Sequence, residues 1–244
     1  MSKKEHLNRD DLDERNTESV IRELKVFLAI TEDILSSDFK RLGVQYQYPK
    51  IAIADKHTLS KSFEQVARGG PGYYVDEQTI YIEPEFYTET LKMMVPDVRK
   101  ATIAYNVFHE VGHHVQNLLG KSTVWVSKTV VVPVRLAKVA LELQADCIAG
   151  MLCNIAHRVK PLFDAGDKEN IMLSAWSLGD DVLSGLTVGE FGVNFMTHGT
   201  GAMRRDAVAT GLTCVTLKQV PTVEWFIQYA LQKTKTIPAD WAQR

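Results

Sequence analysis

Apolar residues recur at spacings of three and four over long stretches of this chain, the period of helices buried along one face. The first stretch runs from Glu18 to Leu42, with Val20, Ile21, Leu24, Phe27, Leu28, Ile34, Leu35 and Phe39 in register and a potential break near Ile30-Thr31. A second, Ala101 to Leu119, carries Ile103, Val107, Phe108, Val111, Val115 and Leu118, and Gly120 supplies its stop signal. A third follows Pro133, from Val134 to His157, through Leu136, Val139, Ala140, Leu143, Cys147, Ile148, Met151, Leu152 and Ile155. Further helices are expected over Lys168–Ser184, from Thr200 as cap onward, and over Val223–Thr234. Strand signals are sparse. Lys50–Ala54 is one, and Tyr73–Val75 with Thr79–Ile82 reads as a hairpin closed by Asp76-Glu77-Gln78. The turn cluster Gly69-Gly70-Pro71-Gly72 precedes the hairpin, Pro84 ends it, and a short helix is expected over Glu85–Met94. The fold class is therefore α+β, mainly α.

Composition narrows the class. With 244 residues, 45% hydrophobic and 24% charged, the chain can bury a sizeable core. Residues 1–16 are strongly charged and read as a disordered tail, leaving 17–244 as a single domain. A net charge of −2 argues against a nucleic-acid partner. The apolar runs are short and interrupted by charges, so no membrane span is expected, and the opening residues lack the apolar core of a signal peptide. Cys147, Cys153 and Cys214 are odd in number and sit among apolar residues, as buried thiols of a cytoplasmic protein would. The β-branched run Val124–Val134 needs covering, by another element or by a second copy in an oligomer.

Chemistry concentrates in Phe108-His109-Glu110-Val111-Gly112-His113-His114. His-Glu-x-x-His on a helix sets two imidazoles one turn apart on one face, able to grip one Zn²⁺, with the glutamate beside a water on the metal. Gly112 removes a side chain next to these ligands, where metal or substrate must approach. On the third helix Glu142 and Asp146 lie four apart and share a face between the apolar rows. A catalytic zinc site commonly has three protein ligands and one open position, so His109, His113 and Glu142 form a suitable set. Asp146 can then accept a hydrogen bond from the outer nitrogen of a ligand histidine. His114, His157, His198, Asp146 and Cys147 are the rivals for the third place. His114 points about 100° round the helix from His113 and is the poorer chelate partner.

His109 to Gly120 (HEVGHHVQNLLG) with Glu142 to Gly150 (ELQADCIAG) resembles the bacterial putative neutral zinc metallopeptidase family. The resemblance extends to Thr197-His198-Gly199-Thr200, Ala202 and Arg204, and more loosely to Gln78–Ile82, covering about residues 72–210. It implies a zincin-like fold with a small β-hairpin beside the motif helix. It also implies His109, His113 and Glu142 as zinc ligands, Glu110 as general base and Asp146 as a partner to a ligand. His198 and Arg204 match the histidine and arginine that donate to the oxyanion in related peptidases. The Gly-Pro-Gly-Tyr-Tyr entry to the hairpin departs from the family pattern. The implied activity is hydrolysis of a peptide or protein substrate, with the hairpin edge as a rail for an extended chain. Two rival functions fit the same residues: a cytosolic protease with a single regulatory target, and a non-catalytic interaction protein stabilised by zinc.

Overall fold

A computed structural model describes residues 17–53, 71–83, 86–87, 96–121, 134–159, 166–185 and 196–234. In chain order the elements are α1 (Thr17–Leu42), β1 (Lys50–Ile53), β2 (Gly72–Tyr74), β3 (Thr79–Ile82), α2 (Pro96–Leu118) and α3 (Val134–Val159). There follow α4 (Asp167–Ser177), α5 (Asp180–Ser184), α6 (Gly201–Gly211), a 3-10 turn (Leu217–Gln219) and α7 (Val223–Thr234). The architecture is mainly helical with one small sheet, as the periodicity predicts.

α3 is the centre of the molecule. It packs on α2, α6 and α7, and its residues from Leu136 to Ala156 are almost all buried. Length and composition alone would let this helix cross a membrane, contrary to the expectation from sequence, but 83% of its most apolar window is buried against the other helices. Two apolar clusters flank it. Phe27, Phe39, Tyr105 and Phe108 belong to the larger one, and Met196, Val223 and Phe226 to the smaller. Small residues set the spacing. A Cβ on Gly211 would lie 1.9 Å from the Cys147 carbonyl oxygen, and one on Gly150 would lie 2.4 Å from that of Val208, so α3 and α6 touch backbone to backbone.

The sheet has the order β1-β3-β2. β1 runs parallel to β3, with Ile51 opposite Ile80, and β2 runs antiparallel to β3, with Tyr73 opposite Ile80. β2 is thus an outer strand among those described, and it lies against α2.

Several boundaries differ from the sequence reading. α1 runs unbroken through Ile30-Thr31, because the Thr31 hydroxyl bonds to the Leu28 carbonyl at 2.7 Å instead of disrupting the turn. α2 starts at Pro96, five residues earlier than expected. The helix expected over Lys168–Ser184 is two, α4 and α5, parted at Leu178-Gly179. The break has a packing cause: a Cβ on Gly179 would lie 2.0 Å from the Gly201 nitrogen, so the chain passes hard against the start of α6. The tail 1–16, the expected helix Glu85–Met94 apart from Phe86 and Tyr87, and all of Val124–Val134 except Val134 lie outside the described residues.

Candidate metal centre

His109 and His113 project from one face of α2 toward α3, where Glu142 meets them. His109 Nε2 lies 3.1 Å from Glu142 Oε2 and 3.1 Å from His113 Nε2, and the third edge, His113 Nε2 to Glu142 Oε2, is 3.5 Å. A tetrahedral ion with bonds of about 2.05 Å holds its ligand atoms about 3.3 Å apart, so this triangle has the right size for one. Among the described residues this is the one trio of His, Cys, Asp or Glu gathered closely enough to hold an ion.

The orientation of each ring supports the same reading. His109 Nδ1 donates to Asp146 Oδ1 at 2.7 Å, and His113 Nδ1 donates to Gln116 Oε1 at 3.0 Å. Gln116 is itself fixed, since its amide nitrogen donates to the Leu141 carbonyl at 2.8 Å and to Gln144 Oε1 at 3.1 Å. With both outer nitrogens donating, both Nε2 lone pairs face the Glu142 carboxylate. Three electron-rich atoms at this distance repel one another unless a cation or a proton lies between them. Without an ion the trio favours the proton: burial disfavours charge on His109, but Asp146 and Glu142 outweigh it and raise its pKa to about 10, so a metal ion would displace that proton on binding. Burial alone would raise Glu142, yet His113 and His109 hold it well below the usual carboxylate range.

Behind His109 lies a buried network. Asp146, fully buried, accepts the Tyr105 hydroxyl at 2.6 Å and Arg204 through Nε at 2.9 Å and Nη2 at 3.0 Å. Arg204 also donates to Tyr105 Oη at 3.0 Å and to the Leu178 carbonyl at 3.0 Å. Arg204, expected as an oxyanion donor, lines the same cavity as the ligand trio, and most of its guanidinium N–H groups are committed to Asp146, Tyr105 and Leu178, because Asp146 would otherwise be a carboxylate buried without sufficient compensation.

Glu110 is buried, lines the same cavity as the three ligands, and is pushed above its ordinary pKa by burial, with His109 and His113 pulling the other way. The main chain of Tyr73 on β2 hydrogen-bonds to its carboxylate, which ties the edge strand to this residue. β2 is held from its other side too. His114 Nε2 donates to the Gln47 carbonyl at 2.6 Å, which leaves Nδ1 to accept the Tyr73 hydroxyl at 3.0 Å, while Asn117 donates to that hydroxyl at 2.9 Å. His114 is thus a fully buried strut and not a ligand.

His198 lies across the cleft from α2 on a loop wrapped around Asp180. That carboxylate accepts the main-chain N–H groups of Thr197 at 2.7 Å, His198 at 2.9 Å and Gly199 at 3.0 Å. It also meets His198 Nδ1 at 3.2 Å, which leaves Nε2 as the ring's other polar atom, and the side chain is 48% exposed. Burial opposes ionisation of Asp180, but its bonds to His198 and Thr197 win, and its pKa falls to about 2. Asp181 accepts the Gly201 N–H at 2.7 Å and Thr200 caps α6 by accepting from Met203 N at 3.1 Å. Asp180 and Asp181 are thus both anchors of the backbone, one for the His198 loop and one for the start of α6.

Gly112 has a different role from the one its position suggests. A Cβ there would lie 2.9 Å from both the Cα and the oxygen of Ala145, so the glycine sets the α2–α3 approach that brings Glu142 to the histidines. Gln116, Tyr105 and Asp180 were not picked out from sequence. Two of them had a local signal: Gln116 stands three residues after His113, and Tyr105 four residues before His109, on the same helix.

The sequence model of the putative neutral zinc metallopeptidase family matches residues 3–223. The chain belongs to this family. Among its relatives are the "Uncharacterized protein YpfJ" of Escherichia coli (strain K12), 32% identical over 192 residues, and the "Uncharacterized protein Rv2575" of Mycobacterium tuberculosis (strain ATCC 25618 / H37Rv), 31% identical over 152 residues. These matches cover 78% of this chain and 66% of the first relative, and 58% of this chain and 51% of the second. The chain thus spans just under two thirds of the Escherichia coli relative and about half of the mycobacterial one. No solved structure matches it.

Proposed function

We propose that this member of the family is a zinc-dependent peptidase that hydrolyses peptide bonds with Glu110 as general base. The observation that carries the reading is the convergence of His109 Nε2, His113 Nε2 and Glu142 Oε2 at tetrahedral spacing, in a cavity that a buried glutamate also lines. When bound, zinc supplies a Lewis acid for the scissile carbonyl and brings the pKa of a water towards about 7.

The chain's own residues do the rest. Glu110, raised by burial, is matched to take a proton from the attacking water and return it to the leaving amine. Asp146 and Gln116 hold the two imidazoles in the tautomer that aims Nε2 inward. His198, carried on the loop around Asp180 with Nδ1 donating to that carboxylate, can as an imidazolium offer Nε2–H to the oxygen on which negative charge develops. A non-catalytic zinc site has no use for a buried, uncoordinated carboxylate of this kind.

The test is Glu110→Gln. The variant is expected to keep stoichiometric zinc in an elemental assay and to lose at least a hundredfold in kcat on a peptide that the parent protein cleaves. Full activity in the variant would remove Glu110 from the mechanism. Absence of chelator-sensitive cleavage by the zinc-loaded parent, across a broad peptide library, would remove the peptidase reading itself.

A further inference from the structure

Two cavities meet at the metal centre. One, about 340 Å³, extends past Pro71, Gly72, Phe86, Leu178 and Leu183. The other, about 530 Å³, extends past Val75, Asn117, Lys121, Lys138 and Leu141. Tyr73, His113, Glu142 and His198 line both, so the two are ends of one cleft with the ligand trio at its waist. β2 follows the cleft: Gly72 lies at the first end, Tyr73 at the waist, and Val75, just past the strand, at the second.

The ends differ in chemistry. Beyond the groups of the site itself, the first is lined by apolar side chains and one uncharged amide, that of Asn106. The second carries two ammonium groups, and its one carboxylate among the described residues is Glu142, already assigned to the ion. Its amides carry no charge: Gln116 donates to Leu141 and Gln144, and Asn117 donates to Tyr73. Charge selection at this end therefore falls to the lysines. Lys138 is exposed and stands one helical turn before Glu142 on α3, which puts both side chains on one face. Lys121 follows the end of α2 and also acts electrostatically on Glu224, so Lys138 is the more decisive of the two. This local excess of positive charge stands out in a chain of net charge −2.

We infer that the cleft selects peptides bearing a carboxylate on one side of the scissile bond, seated toward Lys138 and Lys121, and a bulky apolar residue on the other, seated toward Phe86, Leu178 and Leu183. The inference rests on the peptidase reading and names its substrate class. The carboxylate is either an Asp or Glu side chain or the end of the substrate chain.

The experiment uses the full zinc-loaded chain and matched quenched fluorogenic peptides. Each has one Phe or Leu at the centre, with a Glu, Gln or Lys pair placed on its N-terminal or its C-terminal side. The Gln peptides are made with free and with amidated C-termini. The expected order of kcat/KM is Glu above Gln above Lys on one side only, with about tenfold between the extremes at low salt, shrinking as salt screens the lysines. Lys138→Glu is expected to flatten or invert the Glu-to-Lys ratio. In the Glu110→Gln protein, binding of the same peptides read by fluorescence anisotropy is expected to follow the same order. A preference for the free over the amidated terminus, without a side-chain preference, would assign the carboxylate to the chain end. Cleavage and binding indifferent to flanking charge on both sides would overturn the inference and leave the peptidase reading intact. No cleavage of any peptide, with zinc bound, would overturn both.

Discussion

Gly112→Ala tests whether the distance between two helices, more than the identity of the ligands, makes the metal site. The added methyl carbon would start 2.9 Å from the Cα and oxygen of Ala145 and 3.2 Å from its Cβ. Carbon atoms prefer about 3.5–4.0 Å, so α2 and α3 must part by roughly 0.5–1 Å at this level. Both sides of the contact are helix backbone, and no rotamer change relieves it. Ala145 precedes Asp146 and follows Glu142 by three residues, so the movement falls on the inter-helix edges of the ligand triangle, now 3.1 and 3.5 Å. Metal sites tolerate about ±0.2 Å, so the expected loss of zinc affinity is about 10- to 100-fold, similar to that of removing a group that orients a ligand. Fold stability moves less. Alanine gains about 1 kcal/mol of helix propensity, against about 1–3 kcal/mol for overpacking. The assays are zinc competition with a chromophoric chelator and the Tm of the zinc-free protein. Zinc affinity within twofold of the parent would refute the reasoning. Restoration by adding Ala145→Gly would also count against it, because the closest contacts are with main-chain atoms that this change leaves in place.

Asp146→Asn is expected to lower zinc affinity by about 10- to 100-fold and, by leaving Arg204 buried without its counter-charge, to cost about 3–5 kcal/mol in urea unfolding; an unchanged unfolding midpoint would disprove the role given to this pair. Asp180 has a folded-state pKa lowered to about 2 from 3.8, so the stability it contributes is complete above about pH 4 and is lost as the pH falls towards 2. Asp180→Asn should therefore flatten acid unfolding over that window, and superimposable acid titrations of the two proteins would contradict this. Tyr73→Phe removes the hydroxyl that donates to His114 and accepts from Asn117, and is expected to cost about 1–3 kcal/mol and to raise KM more than it lowers kcat. A pure kcat effect would show that β2 does not hold substrate.

The parts of this protein legible in its sequence are those written within a turn or two of helix. The spacing of His109 and His113, the pairing of Glu142 with Asp146, and the Thr200 cap are set by 3.6 residues per turn and by which side chains can reach a neighbouring N–H. The apolar rows of α1, α2, α3 and α7 likewise announce buried faces, because a helix with one apolar stripe has to cover it. α3 carried a second, ambiguous message, since a helix buried on nearly every side reads much like one made for a membrane.

Tertiary structure decided what depends on residues far apart in the chain. Arg204 lies 58 positions from Asp146, and the two pair because a buried carboxylate needs compensation wherever it can be found. Gly112 matters for a backbone on another helix, and Gly179 divides an expected helix because Gly201 passes beside it. Asp180 shapes the His198 loop across 17 to 19 residues, and His114 props β2 through the hydroxyl of Tyr73, 41 residues away. Local periodicity determined which side chains could act together on one element. Their meeting across α2, α3 and the edge strand was decided by packing, because contact distances between elements depend on every neighbour that fills the space between them.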